Sequence, residues 1–279
     1  MEKSESKKLI PLYLERLFLE ETDETHYIRM PQILSFLETK GICADRRTIY
    51  GAVSLLNTVG FEIAGVQEKG GYKYHHPSKL FRASELKFLA DSVAVSKFLT
   101  ERKSKELINK IKSLGSRFDG QALNRSVSLS KRIKSMNDKV LRNLDNIYAA
   151  IAADRQIEFQ YLHWNPQRKL VSKTGKPYVT SPYAVTLADD RYYLIAFGGS
   201  RKELRHYHID KMQSVKLLDG KREGRSLFQS FDIVDYSRKT FGMFGGREET
   251  VTLEVKKDLA GVFIDRFGKR IAESAYCRK

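Results

Sequence analysis

The stretch Ala44–His76, ADRRTIYGAVSLLNTVGFEIAGVQEKGGYKYHH, decides how the chain is read. Asp45 is a suitable N-cap, and Ile49, Val53 and Leu56 recur at helical spacing, so a helix runs from near Asp45 to about Thr58. After Gly60, FEIAGVQ and GYKYHH read as two short strands joined by EKGG, a glycine-turned hairpin. Upstream, Ile10, Leu14, Leu17 and Phe18 place a first helix over roughly Ser6–Glu20, and Glu20–Thr25 is a polar loop. A second helix follows Pro31, carries Ile33, Leu34 and Leu37, and stops at Gly41.

Three helices followed by a hairpin are the layout of a winged helix-turn-helix, a DNA-reading module. Arg47, Tyr50, Gly51 and Ser54 share the helix face opposite Ile49 and Val53. That face is flat, polar and cationic, as a major-groove helix requires. Arg46 and Thr48 sit in its first turn, and Lys69 and Lys73 flank the hairpin tip, where phosphates could rest. The DNA-binding candidates are therefore Arg46, Arg47, Thr48, Tyr50, Ser54, Lys69 and Lys73. In an isolated helix, Arg46 and Arg47 would read as solvated first-turn residues; the surrounding layout favours the DNA reading.

The full sequence has 279 residues and a net charge of +16. Residues 1–80 are balanced, 81–140 carry +8, 141–222 carry +6 and 223–279 carry +2. Such an excess favours a polyanionic partner or serves only solubility. A hydrophobic content of 41% excludes disorder throughout. No apolar run is long enough to cross a membrane, and the N-terminus MEKSESKKLI lacks a signal-type stretch, so a cytoplasmic protein is expected. Two distant cysteines, Cys43 and Cys277, exclude a disulfide framework and a four-cysteine zinc site. Cys43 reads as a small buried packing residue.

Residues 84–114 read as two helices, and 115–139 as a basic, serine-rich connector. Leu141–Ala153 is a further helix. From Gln156 the period changes to two, with strands at Ile157–Leu162, Arg168–Ser172, Tyr178–Leu187, Tyr192–Phe197, Leu204–Ile209 and Gln213–Leu217, which suggests a small barrel or sandwich. Ser226–Ser237 and Leu259–Phe267 look helical, and Glu249–Val255 a strand. The fold class is α+β. On Leu204–Ile209, alternation puts Tyr207 and Ile209 toward the core and His206 and His208 outward or toward a groove. With Lys211 these could bind phosphate, while Tyr161, Tyr183 and Tyr193 could stack on bases. Tyr192, Tyr193 and Phe197 read more readily as core, and Asp210 as a turn residue. The two histidines do not make a metal site. No HExxH, GxSxG, GxxxxGK[ST] or GxGxxG occurs, so no catalytic residue, cofactor or enzyme activity is expected.

ADRRTIY, Gly60-Phe61 and GGYKY, then NIYAAIAADRQIEFQY, SPYAVTLADDRYYLIAF, HYHIDKM, FGMFGG and VTLEVKKDLAGVFIDRFGK, together resemble bacterial WYL-domain transcriptional regulators. The resemblance implies a winged helix-turn-helix over 1–80, a basic helical connector over 81–140, a ligand-sensing WYL domain of Sm/SH3-like β-barrel fold over 141–222, and part of a C-terminal extension over 223–279. It implies double-stranded operator DNA bound as a homodimer, and an anionic ligand, single-stranded nucleic acid included. Tyr192, Tyr193 and Leu194 stand at the name-giving triplet, and His208, Asp210 and Lys211 where relatives often have arginine, aspartate and arginine. Tyr161 and Tyr183 match aromatic positions; with Tyr193, Arg205, His206, His208 and Lys211 they form the expected ligand set. Gly51 and Ala52 stand where relatives place charges. The tail RIAESAYCRK does not continue the family pattern, so a shortened extension is expected. A non-operator nucleic-acid-binding protein and a small-molecule-sensing regulator are the alternatives.

Overall fold

Leu14, Phe18, Ile33, Leu37 and Ile49 have almost no solvent exposure, and these five side chains fix the N-terminal helices against one another. The computed structural model describes residues 7–126, 134–172, 174–188, 190–199, 202–229 and 253–267. Helix α1 spans Ile10–Glu21, strand β1 Ile28–Arg29, helix α2 Met30–Thr39 and helix α3 Arg46–Thr58. Pro sits in the first turns of α1 and α2, where its missing N–H has no helical partner to lose. Asp45 caps α3 by accepting the Thr48 N–H at 2.7 Å. Strands β2, Ala64–Glu68, and β3, Gly71–His75, pair antiparallel, and β1 adds to the far side of β3. Phe61–Ile63 is not part of the strand: the Asn57 side chain holds the Ile63 N–H at 2.6 Å and takes that backbone out of the ladder.

The connector contains α4, Ala83–Val95, α5, Glu101–Lys112, and α6, Arg117–Ser126. Leu86, Ala90, Ala94, Ile108 and Leu123 form its own small core. Helix α6 has only one fully buried apolar residue, Leu123, so its period is faint in the sequence. Residues 127–133 lie outside the described residues. Lys134 closes the end of α4, donating to the carbonyls of Val93 and Ser96 and to Ser104 Oγ. This matches the general preference for cations at helix C-termini.

Helix α7, Val140–Ala152, precedes a six-stranded sheet of β4 Arg155–Trp164, β5 Leu170–Ser172, β6 Tyr178–Ala188, β7 Arg191–Gly198, β8 Glu203–His208 and β9 Met212–Lys221. Strand β4 bonds β5, β6 and β9, and the path continues from β6 to β7 and β8. The register shifts at Pro182–Ala184 and twice between β4 and β9, and such bulges bend a sheet. The sheet curls into a half-barrel. Ile209–Lys211 makes a single 3-10 turn between β8 and β9. Helix α7 packs Ile147 and Ala150 into the sheet's core, and Asn143 and Asn146 donate to the carbonyls of Met212 and Val215 at 2.8 and 2.9 Å. Phe98 and Leu99, from the connector, are buried in this same core.

The chain divides into two compact units, Met1–Ser230 and Phe231–Lys279. In the first, α8 spans Arg225–Gln229; the rest of the expected Ser226–Ser237 helix lies outside the described residues. In the second, a 3-10 turn at Lys257–Leu259 leads into α9, Ala260–Phe267. Leu253–Val255 is not a strand, and residues 249–252 and the FGMFGG stretch lie outside the described residues.

Two glycines give stability tests of opposite sign. Gly224 has φ +82°, and a Cβ there would fall 2.3 Å from the Phe197 ring. Gly224→Ala is expected to destabilise the fold by about 2–4 kcal/mol, from overpacking and the left-handed backbone. Gly51 lies inside α3 with open space around it. Gly51→Ala is expected to stabilise by about 0.5–1 kcal/mol. Urea unfolding midpoints measure both.

Candidate functional site

Helix α3 buries Ile49, Ala52 and Leu56 against α1 and α2. Arg46, Arg47, Tyr50, Gly51 and Ser54 are exposed on its other side, and Thr48 is half-buried beside the cap. Ala52 belongs to the core, so a charge at that position would be buried here. Among the described residues, no carboxylate lies within ion-pair distance of Arg46, Arg47 or Lys69. Cys43 is exposed, contrary to expectation, because Ile42 takes the buried place in the turn.

The hairpin separates two sets of side chains by the pleat. Lys73 and His75 share one face with Arg29 and Tyr27. There Lys73 bonds Glu68, its ammonium lies 4.0 Å from the Tyr27 ring centroid, and Arg29 reaches Glu68 at 3.6 Å and Gly70 O at 3.0 Å. Lys73 is thus held inside the hairpin's own polar cluster, whereas Lys69 stands free at the tip. Tyr72 and Tyr74 lie on the opposite face, their ring centroids 6.4 Å apart, and Tyr74 meets Tyr50 of α3. Burial, followed by the hydrogen bond to Tyr50, pushes the Tyr74 phenol up to about 12. Sequence reading passed over these two tyrosines; alternation through Tyr72-Lys73-Tyr74 was the available signal.

In the sheet, Phe159, Tyr161, Tyr178 and Tyr207 form a closed aromatic group, every pair of centroids lying 5.2–6.3 Å apart. Most of these pairs are edge-to-face, the arrangement favoured by the ring quadrupole. An open cleft of about 340 Å³ adjoins them, lined by Tyr161, Tyr178, Leu204, Arg205, His206 and Tyr207. Arg205 is held by Glu203 at 2.9 Å and is two-thirds buried. Burial keeps the Tyr161 phenol protonated, pushed up to about 12, and lowers the His206 imidazole. The cleft therefore offers one guanidinium, held by Glu203, beside three phenols, of which Tyr161 keeps its proton.

The other expected ligand residues are elsewhere. Tyr193 and His208 face each other across β7 and β8 with centroids 4.4 Å apart. The Tyr161 hydroxyl accepts the His208 backbone N–H at 3.2 Å, so the cleft and this pair share Tyr161. Lys211 is half-buried in the following turn. Tyr183 is a packing residue: it stacks on Phe228, its hydroxyl donates to Glu223 O at 2.7 Å, and Arg222 lies 4.8 Å over its ring. Tyr178, Leu204 and Tyr207 complete the cleft and were not among the expected ligand residues.

Asp210 is buried and paired with Arg191. Burial raises its carboxyl, and Arg191 and Lys211 pull it back. His208 Nδ1 and Asp210 Oδ1 stand 3.7 Å apart, both buried and without a hydrogen bond. Burial, then the nearby Lys211 and Arg191, lowers His208 to about 4. His208 is thus a neutral ring at ordinary pH, where an arginine would be a fixed cation.

Residues 142–217 match the WYL domain. The match begins in α7 and ends in β9, so it holds the curled sheet, the aromatic group and the cleft. No curated protein matches the chain. Among solved structures, proteasome accessory factor B/C (PafBC) of Arthrobacter aurescens is similar at 16% identity and a TM-score of 0.28, over 81% of this chain and 35% of that one. The chain spans about a third of that protein's length. No described helix is long and apolar enough to cross a membrane. Among the described residues, no group of three His, Cys, Asp or Glu is arranged to hold a metal ion.

The WYL domain's His208 makes stability depend on pH. The unfolded chain, with its histidine near 6.5, takes up a proton that the folded one refuses until about 4. Stability therefore falls as pH drops from 7 to 5, by about 1–2 kcal/mol from this group. Asp210, raised by burial, opposes this at the acid end, because its contribution is lost as pH rises through its folded value. Urea midpoints at pH 7 and pH 5 should show a smaller loss for His208→Gln than for the unaltered chain; equal losses would refute the assignment.

Proposed function

We propose that the chain is a DNA-binding transcriptional regulator whose WYL domain senses an anionic ligand. In this reading α1–α3 and the β2–β3 hairpin are a winged helix-turn-helix, and a homodimer places two α3 helices on a two-fold operator in the cytoplasm. The observation that carries it is the union of a WYL domain with an upstream module whose third helix exposes Arg46 and Arg47 without carboxylate partners among the described residues. Unpaired arginines on a polar helix face suit base edges and phosphates. In this reading the curled sheet, with a 3-10 turn before its last strand, is the Sm/SH3-like barrel. The protein acts by binding and carries no catalysis of its own.

Single-stranded nucleic acid is the first candidate ligand, because aromatic faces beside a guanidinium suit bases and phosphate. A small-molecule anion is the second reading. It is favoured by the cleft's volume of about 340 Å³, at the small end of ligand pockets.

Selection from a random duplex pool, with a random single-stranded pool in parallel, tests the proposal. One two-fold-symmetric duplex motif is expected, and Arg47→Ala should weaken binding to it by about 1–3 kcal/mol. Enrichment of single strands alone would overturn operator binding. In the single-stranded arm, Tyr178→Ala should weaken binding severalfold if bases stack in the cleft.

A further inference from the structure

We propose that the hairpin grips duplex DNA through its tyrosine face, with Tyr72 and Tyr50 donating hydroxyls to the sugar-phosphate backbone while half-buried Tyr74 bonds and positions Tyr50, and that Lys73 takes no part. This rests on the winged helix-turn-helix reading above.

Gly65 lies across from Tyr74, and a Cβ there would come within 3.4 Å of the Tyr74 ring and 3.6 Å of the Tyr72 ring. The missing side chain leaves a bare strip of β2 on which both rings lie, inclined by 24° to each other. Tyr50 and Tyr72 remain 50% and 52% exposed. The shelf thus runs from the exposed side of α3 onto the hairpin, beside Arg46 and Arg47. On the reverse face, Lys73, Arg29, Glu68 and Tyr27 already satisfy one another.

Charge fixes the occupant. Residues 1–80 are electrically neutral overall, so a grip made of many cations is not available to this module. Arg46, Arg47 and Lys69 are its unpaired cations on this side among the described residues, and they ask for an anion. A phenol beside them supplies what such a surface needs: an O–H donor to an anionic oxygen, a short and strong class of hydrogen bond. Phosphate contacts of this kind position the protein without reading sequence. Tyr74, packed against the helical core, keeps its proton and bonds Tyr50, which fixes that ring at the edge of the shelf.

The test measures binding of the full chain to its selected duplex across a salt series, for the unaltered chain and for Tyr72→Phe, Tyr50→Phe, Lys73→Met and Arg47→Ala. Each Tyr→Phe change should lower affinity about threefold to tenfold with the slope of log K against log salt unchanged. Arg47→Ala should reduce that slope by about one. Lys73→Met should leave affinity within about twofold and the slope intact. Thermal unfolding of each variant checks that the fold is kept. The proposal is overturned if the Tyr→Phe variants bind as the unaltered chain does, or if Lys73→Met takes one from the slope. Should the unaltered chain bind no duplex, the underlying reading fails instead, and the shelf falls with it.

Discussion

The insertion of Phe98 and Leu99 into the core of the WYL domain is the contact on which the arrangement of the first unit depends. Phe98 meets Tyr192 edge-on at 4.8 Å and shares a core with Phe159, Leu194 and Ile147. Burying two large side chains contributes about 3–6 kcal/mol before ordering costs. The connector's own buried cluster is small, Leu86, Ala90, Ala94, Ile108 and Leu123 with Phe81, Val93 and Ile111 packed against it, so the insertion adds two large apolar side chains to what holds it. The polar contacts around it keep the same register. Thr100 Oγ donates to Asp138 at 2.5 Å, and Asn137 donates to the carbonyls of Asp210 and Met212 at 3.2 and 2.7 Å. The turn that carries Asp210 is therefore bonded to the connector itself, so the buried Arg191–Asp210 pair and the helices upstream share one network.

At its other end the connector meets the N-terminal helices through a junction of different chemistry. Ser116 donates to Asp23 at 3.0 Å, Arg117 pairs with Glu21 at 2.7 Å, and His26 stacks on Phe118 at 3.6 Å. Burial raises the Asp23 carboxyl, but hydrogen bonds from Thr25 and His26 outweigh it and hold the group well below the usual carboxylate range. Contacts of this kind cost less to separate than an apolar core, because water can replace most of them. The connector is thus anchored by apolar burial at the WYL domain and by exchangeable polar bonds at the N-terminal module.

Much of this was legible where residues repeat. The helices at Ile10, Met30 and Arg46, the hairpin, and six strands in the second half follow from period and turn chemistry. Helix α6 did not, because it presents one buried apolar residue, Leu123, on an otherwise polar segment. Its fold comes from the Ser116–Asp119 contacts and from docking on residues far away in sequence. The cleft was half legible. Tyr161, Arg205 and His206 were expected and are brought together, but Tyr183 goes to Phe228 because it is the extra residue of the bulge between Pro182 and Ala184. A register shift of one residue moves a side chain to the other face, and nothing in the local sequence announces it. Lys73 is placed otherwise than its spacing suggests for a related reason: the pleat turns it toward Glu68.

Electrostatics ties these observations together. The positive excess lies in residues 81–222, and it is what remains after the carboxylates of these residues are counted. On α5, Arg102 bonds Glu106 and Asp138, Lys103 reaches Glu106, and Lys105 reaches Glu101. Such exposed pairs add little binding energy, and it is the unpaired excess that sets the long-range field around these residues. The candidate contact surfaces are different in kind. The α3 face offers two arginines and a row of phenols; the cleft offers one arginine, phenols, and a histidine lowered by burial. Neutral donors in fixed positions discriminate by geometry and lose little in salt, whereas the distributed charge is screened within about 8–10 Å.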